Sequence, residues 1–461
     1  MPLHRHKKNV DEDEFKDIYS NSICHTQLPK DELPEKSSEP QVIKQLVQDE
    51  LFMDGNARQN LATFCTTYIE DEVRDLMDLS IDKNMIDKDE YPQTAEIEQR
   101  CVNILADLWH VPDKKNTIGC STTGSSEAAM LGGLALKWRW RKRREAEGKA
   151  IDKPNFVCGP VQICWHKFAR YFDVEIREVP LTSNELGLNP DHLKDYCDEN
   201  TIGVVATLGS TFTGVYEPVE ELAQALDVFQ NVTGLDIPIH VDGASGAFIA
   251  PFIQRKLKWD FCIPRVKSIN ASGHKFGMAP LGVGWVLWRT VADLSKELIF
   301  NVDYLGGQMP TFALNFSRPA GQIIAQYYKF LRLGREGYTA IQNNCACTAQ
   351  YLGSQLRKMD LLDLLYDGDG GIPAVCYTLK DESTAGFSLY ELSDRLKIHG
   401  WQVASYPLPN NRQNIIVQRI LIRHGVSRDM VSLLLRDLRK ELDYLKNNPT
   451  YTSSNKVSFH H

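Results

Sequence analysis

The chain has 461 residues, and its 52 Lys and Arg against 60 Asp and Glu give a formal net charge of −8. Its 43% hydrophobic and 24% charged residues are ordinary for a globular protein and exclude wholesale disorder, collagen and coiled coil, while the length predicts two to four domains. The mild acidity argues against nucleic acid as a partner, and no apolar run approaches the ~18 residues of a membrane span, so we expect no stable membrane insertion.

The amino-terminal segment and the cysteines predict a cytoplasmic protein. The first residues, MPLHRHKKNVDEDEF, are basic at the start but lack the apolar region of a secretory signal. The eleven cysteines are scattered without a C-x-x-C pair. Because neither a disulfide framework nor a zinc ligand set is visible, we expect reduced thiols and no metal.

Residues 1–57 are polar and charged and predict an amino-terminal helical arm. One helix is predicted at 41–51, where Val42, Leu46 and Leu51 fall near helical spacing.

Residues 58–345 alternate short apolar strands with helices, which predicts an α/β domain with a mostly parallel sheet. Helices are predicted at 126–147 and 219–233. The last strand follows its predecessor too closely for a crossover helix, so it should be antiparallel. The predicted strands are 156–158, 175–179, 203–208, 237–241, 268–270 and 283–288.

In residues 346–461 the order of predicted strands and helices differs from that of residues 58–345, which predicts a small α+β domain. Strands are predicted at 374–379, 401–407 and 415–422, with helices at 388–398 and 427–445. The second helix carries a single apolar face of leucines and one valine.

Three segments carry residues suited to cofactor chemistry, although each has a simpler explanation. Lys275 stands in SGHKFG after a strand, where a surface lysine in a turn is the alternative. Asp242 ends an apolar strand and could serve only as a helix N-cap. The hydroxyl-rich segment 122–128 opens a helix whose free N–H groups suit a phosphate, or it is an ordinary cap. Together they supply a phosphate cradle, an acid and an amine. The basic run at 137–144 is best explained as a solvated helix face near a helix C-terminus.

The chain resembles the fold-type I pyridoxal-phosphate enzymes, and among them the bacterial glutamate decarboxylases. The resemblance runs from residue 54 to the carboxyl terminus. It is carried by the motifs DGNARQNLATF (54–64), GSSEA (124–128), VQICWHKF (161–168), YLGG (304–307) and NFS (315–317). One departure is DGASGA at 242–247, where the family pattern is DAASGG; the ring-facing Ala244 is kept.

The resemblance implies a role for each matching residue. Lys275 would hold pyridoxal 5'-phosphate as a Schiff base, and Asp242 would pair with the ring nitrogen and keep it protonated. Ser125, Ser126 and His274 would bind the phosphate, and Ser317 would reach it from a neighbouring subunit. Thr211 would lie beside the 3-hydroxyl of the ring. Gln162 and Ala244 would contact the two faces of the ring. The implied substrate contacts are Arg419 for the α-carboxyl side and Thr63, Phe64, Asn84 and Asp87 for the distal carboxylate.

The resemblance also implies an activity, an assembly and a regulatory device. The activity would be α-decarboxylation of L-glutamate to 4-aminobutyrate, which consumes a proton and would serve acid resistance. A decarboxylase for another amino acid and a catalytically silent scaffold are the alternatives. The family suggests a hexamer of this chain that the arm at 1–57 helps to assemble. His461 occupies the place of a histidine that can block the active site above acidic pH; an inert tail is the alternative.

Overall fold

The computed structural model describes residues 28–182, 185–302 and 309–449. The chain divides into two compact units, Met1–Gln59 and Asn60–His461. Three predictions lie outside the described residues, namely the first part of the arm (1–27), the YLGG motif at 304–307 and the proposed latch His461.

In the first unit the principal element is the helix α1, Pro40–Leu51. Proline suits the first turn of a helix, where its missing N–H would have no intrahelical partner. The helix predicted at 41–51 is therefore confirmed. A short 3₁₀ turn at Ala57–Gln59 follows.

The second unit contains the remaining elements. Its helices are α2 (Asp71–Leu79), α3 (Pro92–Leu108), α4 (Ser125–Ala146), α5 (Ile163–Tyr171), α6 (Leu193–Tyr196), α7 (Val219–Thr233), α8 (Ala250–Ile253), α9 (Gly321–Leu356), α10 (Glu382–Ala385), α11 (Leu389–Lys397) and α12 (Arg428–Asn447). Its strands are β1 (Ile118–Thr122), β2 (Asn155–Cys158), β3 (Glu175–Glu178), β4 (Thr201–Thr207), β5 (Ile239–Asp242), β6 (Val266–Ser272), β7 (Gly284–Trp288), β8 (Phe300–Val302), β9 (Met309–Thr311), β10 (Leu362–Tyr366), β11 (Ala374–Leu379), β12 (Ser405–Pro407) and β13 (Ile416–Leu421).

A seven-stranded sheet in the order β1-β7-β6-β5-β4-β2-β3 forms the framework of this unit. Strands β6, β5, β4, β2 and β3 pair in parallel, and β7 runs antiparallel to both β6 and β1. All residues of β4 are buried, as expected for a parallel strand with helices on both faces. The α/β fold class and the antiparallel strand are confirmed.

A smaller antiparallel sheet, β10-β11-β13-β12, packs with α11 and α12 around a separate apolar cluster. The strand predicted at 401–407 is wrong over its first half, because only Ser405–Pro407 forms a strand. Trp401 and Val403 are instead buried side chains in the connection that precedes it. Four strands, β1, β8, β9 and β10, were not predicted. The boundary predicted at residue 345 lies within α9, and the division into domains stays a prediction.

Within the described ranges, no helix has both the length and the apolarity that crossing a bilayer requires.

Candidate active site

The site lies where parallel strands end together. Thr207 at the end of β4 is in register with Asp242 at the end of β5, and Asp242 is in register with Asn270 near the end of β6. The carboxyl ends of parallel strands form the edge at which open α/β sheets bind ligands. The sheet therefore brings the predicted acid and the turn that carries Lys275 to the same edge.

Asp242 is 5% exposed and accepts several hydrogen bonds. Its Oδ2 accepts from Trp165 Nε1 at 2.8 Å, and its Oδ1 accepts from Asn270 Nδ2 at 3.0 Å and from the Ala244 amide at 3.1 Å. All three partners are donors, so the pocket is built for a carboxylate. The contacts of Trp165 and Asn270 with Asp242 were not predicted from the sequence.

Lys275 lies in the turn after β6, and its backbone N–H donates to the Ser272 carbonyl at 3.3 Å. Its Nζ is 4.9 Å from the centre of the Phe64 ring. Burial lowers the pKa of Lys275, while the nearby Asp242 carboxylate opposes that shift. An amine with a lowered pKa is a better nucleophile, as the covalent attachment of an aldehyde requires.

The start of α4 forms the predicted phosphate cradle. Ser125 and Ser126 are its first residues, and its N-cap, Gly124, gives no side-chain cap to the free N–H groups. A Cβ placed on Gly124 would lie 3.3 Å from His274 Cε1, so glycine allows the imidazole to stand close to the helix start. The free N–H groups and the glycine leave room for an anion there.

His274 is held as a neutral imidazole. Its Nδ1 accepts from the Val283 amide at 3.3 Å, which leaves the hydrogen on Nε2. Burial and the charge of Lys275 lower the pKa of His274 to about 4. The ring can therefore donate a hydrogen bond to a phosphate across the pH range above that value.

Arg419 projects from β13 and is 5% exposed. One of its Nη atoms donates to the Thr211 carbonyl, and the other donates to the Ala62 carbonyl at 2.8 Å. Its guanidinium carbon lies 4.2 Å from the centre of the Phe64 ring. The Nε is buried and has no hydrogen-bond partner among the described residues, which marks it as a donor for a ligand carboxylate.

Two further residues that are predicted to contact the cofactor take part in local hydrogen bonds. Gln162 is the N-cap of α5, and its Oε1 accepts from the Cys164 amide at 2.6 Å. The Ala244 carbonyl accepts from the Ser272 amide at 3.1 Å, which ties the loop after β5 to the end of β6. Their placement on the two faces of the ring stays a prediction.

The residues predicted for the distal carboxylate fall into two groups. Phe64 lies beside Lys275 and Arg419, and Thr63 precedes it in the chain. Asn84 instead donates from Nδ2 to Ser317 Oγ at 3.2 Å, and its carbonyl accepts from the Asp87 amide at 3.2 Å. Within the described ranges, no hydrogen bond joins this second group to the first.

Glu127 ties the Ser317 segment to the phosphate cradle. It is 7% exposed, and it accepts from the Thr123 amide at 2.8 Å and from the Leu314 amide at 3.1 Å. Asn315 adds a donor at 3.1 Å. The sequence motif at 124–128 contains Glu127 but gives no indication of these contacts.

The comparisons with known proteins agree with this geometry. Residues 32–380 match the family model described as the pyridoxal-dependent decarboxylase conserved domain. The chain belongs to this family. Pyridoxal phosphate is accordingly its cofactor. Among its relatives, a glutamate decarboxylase of Aliivibrio fischeri is 58% identical, over 99% of this chain and 98% of that protein. A glutamate decarboxylase of Lactococcus lactis subsp. cremoris is 48% identical over 95% of each chain. A solved glutamate decarboxylase of Lactobacillus brevis is 45% identical, has a TM-score of 0.90 and covers 95% of this chain and 100% of its own.

The residues of this decarboxylase fit the cofactor. Asp242 and Lys275 lie at one sheet edge, and the uncapped helix start with the neutral His274 provides donors for a phosphate. A Cβ on Gly284 would lie 2.4 Å from the Gly124 carbonyl carbon, so the close packing of β7 against the cradle depends on glycine.

Proposed function

We propose that this decarboxylase removes the α-carboxyl group of L-glutamate to give 4-aminobutyrate and CO₂. Relatives at 46–58% identity over nearly the whole chain carry the name glutamate decarboxylase. The observation that carries the proposal within the molecule is Arg419, whose buried Nε has no partner among the described residues and lies beside Phe64, which also contacts Lys275. A substrate carboxylate would supply the hydrogen-bond acceptor for the Arg419 Nε.

The bound cofactor supplies an electron sink for the pair of electrons left on Cα. Asp242 would accept a hydrogen bond from the protonated ring nitrogen, and Trp165 and Asn270 fix the orientation of its carboxylate. Lys275, whose pKa is lowered by burial, would hold the cofactor through its amine. His274 and the first residues of α4 would bind the phosphate.

Arg419 orients the substrate by its α-carboxyl side. Because two backbone carbonyls hold its Nη atoms, the guanidinium plane is fixed before the substrate arrives. A preorganised charge avoids much of the reorganisation that a mobile side chain would require. Loss of CO₂ followed by protonation of Cα consumes one proton for each turnover. The proposed role in acid resistance rests on that consumption of a proton.

The distal carboxylate pocket would need a second copy of the chain. Asn84 and Ser317 form one hydrogen-bonded group, and Asp87 is bonded to the backbone of Asn84. If Ser317 contacts the phosphate in a neighbouring subunit, then Asn84, which is hydrogen-bonded to Ser317, also lies near that subunit's site. Asp87 lies there as well, because it is hydrogen-bonded to Asn84. We therefore propose at least a dimer, and the family resemblance suggests a hexamer.

A substrate panel tests the proposal. The purified holoenzyme should release CO₂ and the matching amine from L-glutamate, and much more slowly from L-glutamine, L-aspartate and aromatic amino acids. Glutamine is the sharpest control because it has the size of glutamate without the distal charge. Equal rates on glutamate and glutamine would refute a pocket selective for the distal carboxylate, and faster release from another amino acid would reassign the substrate.

A further inference from the structure

A patch of buried polar side chains lies behind Asp242 on the sheet. His240 and Asp242 are two residues apart on β5 and share one face, as do Ser268 and Asn270 on β6. The register pairs His240 with Ser268 and Asp242 with Asn270. His240 and Asn270 are both 0% exposed. Polar groups buried to this extent require complete hydrogen bonding.

The hydrogen bonds of this patch can be made in one arrangement. A carboxylate only accepts, so the Nδ2 of Asn270 faces Asp242, at 3.0 Å from Oδ1. The Oδ1 of Asn270 then needs a donor, which is His240 Nε2 at 2.7 Å. His240 Nδ1 is left to accept from the Ser268 hydroxyl at 2.7 Å. Because burial lowers the pKa of His240, the imidazole is neutral, and these hydrogen bonds then select the Nε2–H tautomer.

The same asparagine also reaches the phosphate cradle. The second hydrogen of its Nδ2 points to Ser125 Oγ at 2.5 Å. A serine hydroxyl that accepts on one side turns its own hydrogen to the other side, where an anion would lie. The side-chain amide of Asn270 thus orients the Asp242 carboxylate. It also orients the Ser125 hydroxyl so that this hydroxyl can donate to a phosphate.

Close packing holds the imidazole in place. A Cβ on Gly132 of α4 would lie 2.4 Å from His240 Cε1, so the helix that begins at Ser125 rests directly on the ring. The Trp165 ring lies edge-on with its centre 5.2 Å from that of His240. His240 has no room to turn, and the orientation of the Asn270 amide follows from it.

We propose that Asn270 is a positioning residue that sets the spacing between the phosphate cradle and Asp242, and that His240 fixes the orientation of its amide. Pyridoxal phosphate joins its planar ring to its phosphate through a short arm, so the ring nitrogen and the phosphate can both be bound only within a limited range of spacings between their sites. The proposal rests on the roles given above to Asp242 and Ser125, but it does not depend on which amino acid is the substrate.

The test compares two buried asparagines that have similar partners. Asn270→Asp places carboxylate oxygens against Asp242 and Ser125. Asn155→Asp is the matched control, because Asn155 is also 0% exposed, donates to Asp198 at 2.9 Å and accepts from the Thr201 hydroxyl at 2.8 Å. For each full-length variant, the dissociation constant of pyridoxal phosphate and the visible spectrum of the bound cofactor are measured after removal and re-addition of the cofactor.

We expect Asn270→Asp to weaken cofactor binding about 10- to 100-fold and to change the visible band, as is common when a residue that orients a binding group is lost. Asn155→Asp should leave both within about twofold of wild type, because stability rather than spacing is affected there. A dissociation constant and spectrum within about twofold of wild type for Asn270→Asp would overturn the proposal, and so would an equal loss in Asn155→Asp.

The histidine is tested by a pair of variants. His240→Gln keeps an N–H that can donate to Asn270, whereas His240→Phe keeps an aromatic ring without one. Cofactor affinity should fall further in the phenylalanine variant, and the reverse order would refute the role of His240.

If Asn270→Asp does not fold, Asn270→Ser replaces it, with the rise in melting temperature on cofactor addition as the readout. A rise equal to that of wild type would overturn the proposal, and a smaller rise would support it.

These measurements separate failure of this inference from failure of the proposed function. None of them requires turnover, so a different amino-acid substrate would leave them unchanged. Weak cofactor binding by Asp242→Asn together with normal binding by Asn270→Asp would refute the positioning role alone.

Discussion

The hydrogen bonds of Asp242 allow a quantitative prediction for Asp242→Asn. The carboxylate accepts from Trp165 on Oδ2 and from Asn270 and the Ala244 amide on Oδ1. An amide has one oxygen, and its best orientation keeps the two bonds at the Oδ1 position. Its NH₂ group then faces the Trp165 N–H at a site where the present separation is 2.8 Å. Leaving one buried donor unpaired costs about 1–3 kcal/mol, so the variant apoenzyme should lose about that much free energy of unfolding.

A double-mutant cycle tests whether the unpaired Trp165 N–H causes this loss of stability. Trp165→Phe removes the N–H that becomes unpaired, so the double variant should be more stable than the sum of the single effects by about 1 kcal/mol or more. The free energy of unfolding of each apoenzyme is obtained from urea titration. Trp401→Phe is the matched control, because its Nε1 donates to Asp437 at 2.9 Å in the smaller sheet, and it should add independently to Asp242→Asn.

Additivity of Trp165→Phe and Asp242→Asn within about 0.5 kcal/mol would refute this reasoning, because contacting residues that share a hydrogen bond should couple. The same Asp242→Asn variant should also bind the cofactor poorly and lose at least about 10²-fold in kcat, since its amide cannot stabilise the protonated ring nitrogen as a carboxylate does. Unchanged kinetics would count against the electron-sink role.

Other substitutions test the remaining groups. Lys275→Ala should abolish turnover and the visible Schiff-base band while Lys267→Ala keeps both; decarboxylation at the wild-type rate would exclude Lys275 as the attachment site. Arg419→Gln should lower kcat/KM for glutamate by on the order of 10- to 100-fold. This corresponds to the loss of a hydrogen bond to a charged group, which contributes about 1.5–3 kcal/mol. Arg439 is exposed, and Arg439→Gln is the control that should leave kcat/KM unchanged. Burial raises the pKa of Glu217 to about 7, so the folded state holds its proton more tightly than the unfolded state. The stability that this proton contributes is complete below the unfolded pKa and is lost as the pH rises to about 7. The unfolding free energy of wild type relative to Glu217→Gln should therefore fall by about 3 kcal/mol across that window, and a flat difference would contradict the assignment.

The sequence was sufficient to predict the fold class and most of the parallel sheet, and its motifs predict the residues that would do the chemistry. Lys275, Asp242 and the start of α4 stand in motifs, and alternating strands and helices indicated the parallel sheet. Strand β1 was missed because Gly119 and the polar residues at its end mask the apolar pattern of a strand. The polar alternation of Ser268 and Asn270 in an otherwise buried strand was a signal that could have revealed the patch behind Asp242.

The sequence by itself determined the fold class and the family, because local patterns and motifs encode these, and the same motifs predict Lys275, Asp242 and Arg419 as the amine, the acid and the arginine of the site. The tertiary structure decided which groups share contacts. It placed Arg419 of the smaller sheet against Phe64, joined Asn84 to Ser317, and set Asn270 between Asp242 and Ser125. These contacts join residues far apart in the chain, and only the register of the strands and the packing of helices on the sheet bring them within hydrogen-bonding distance.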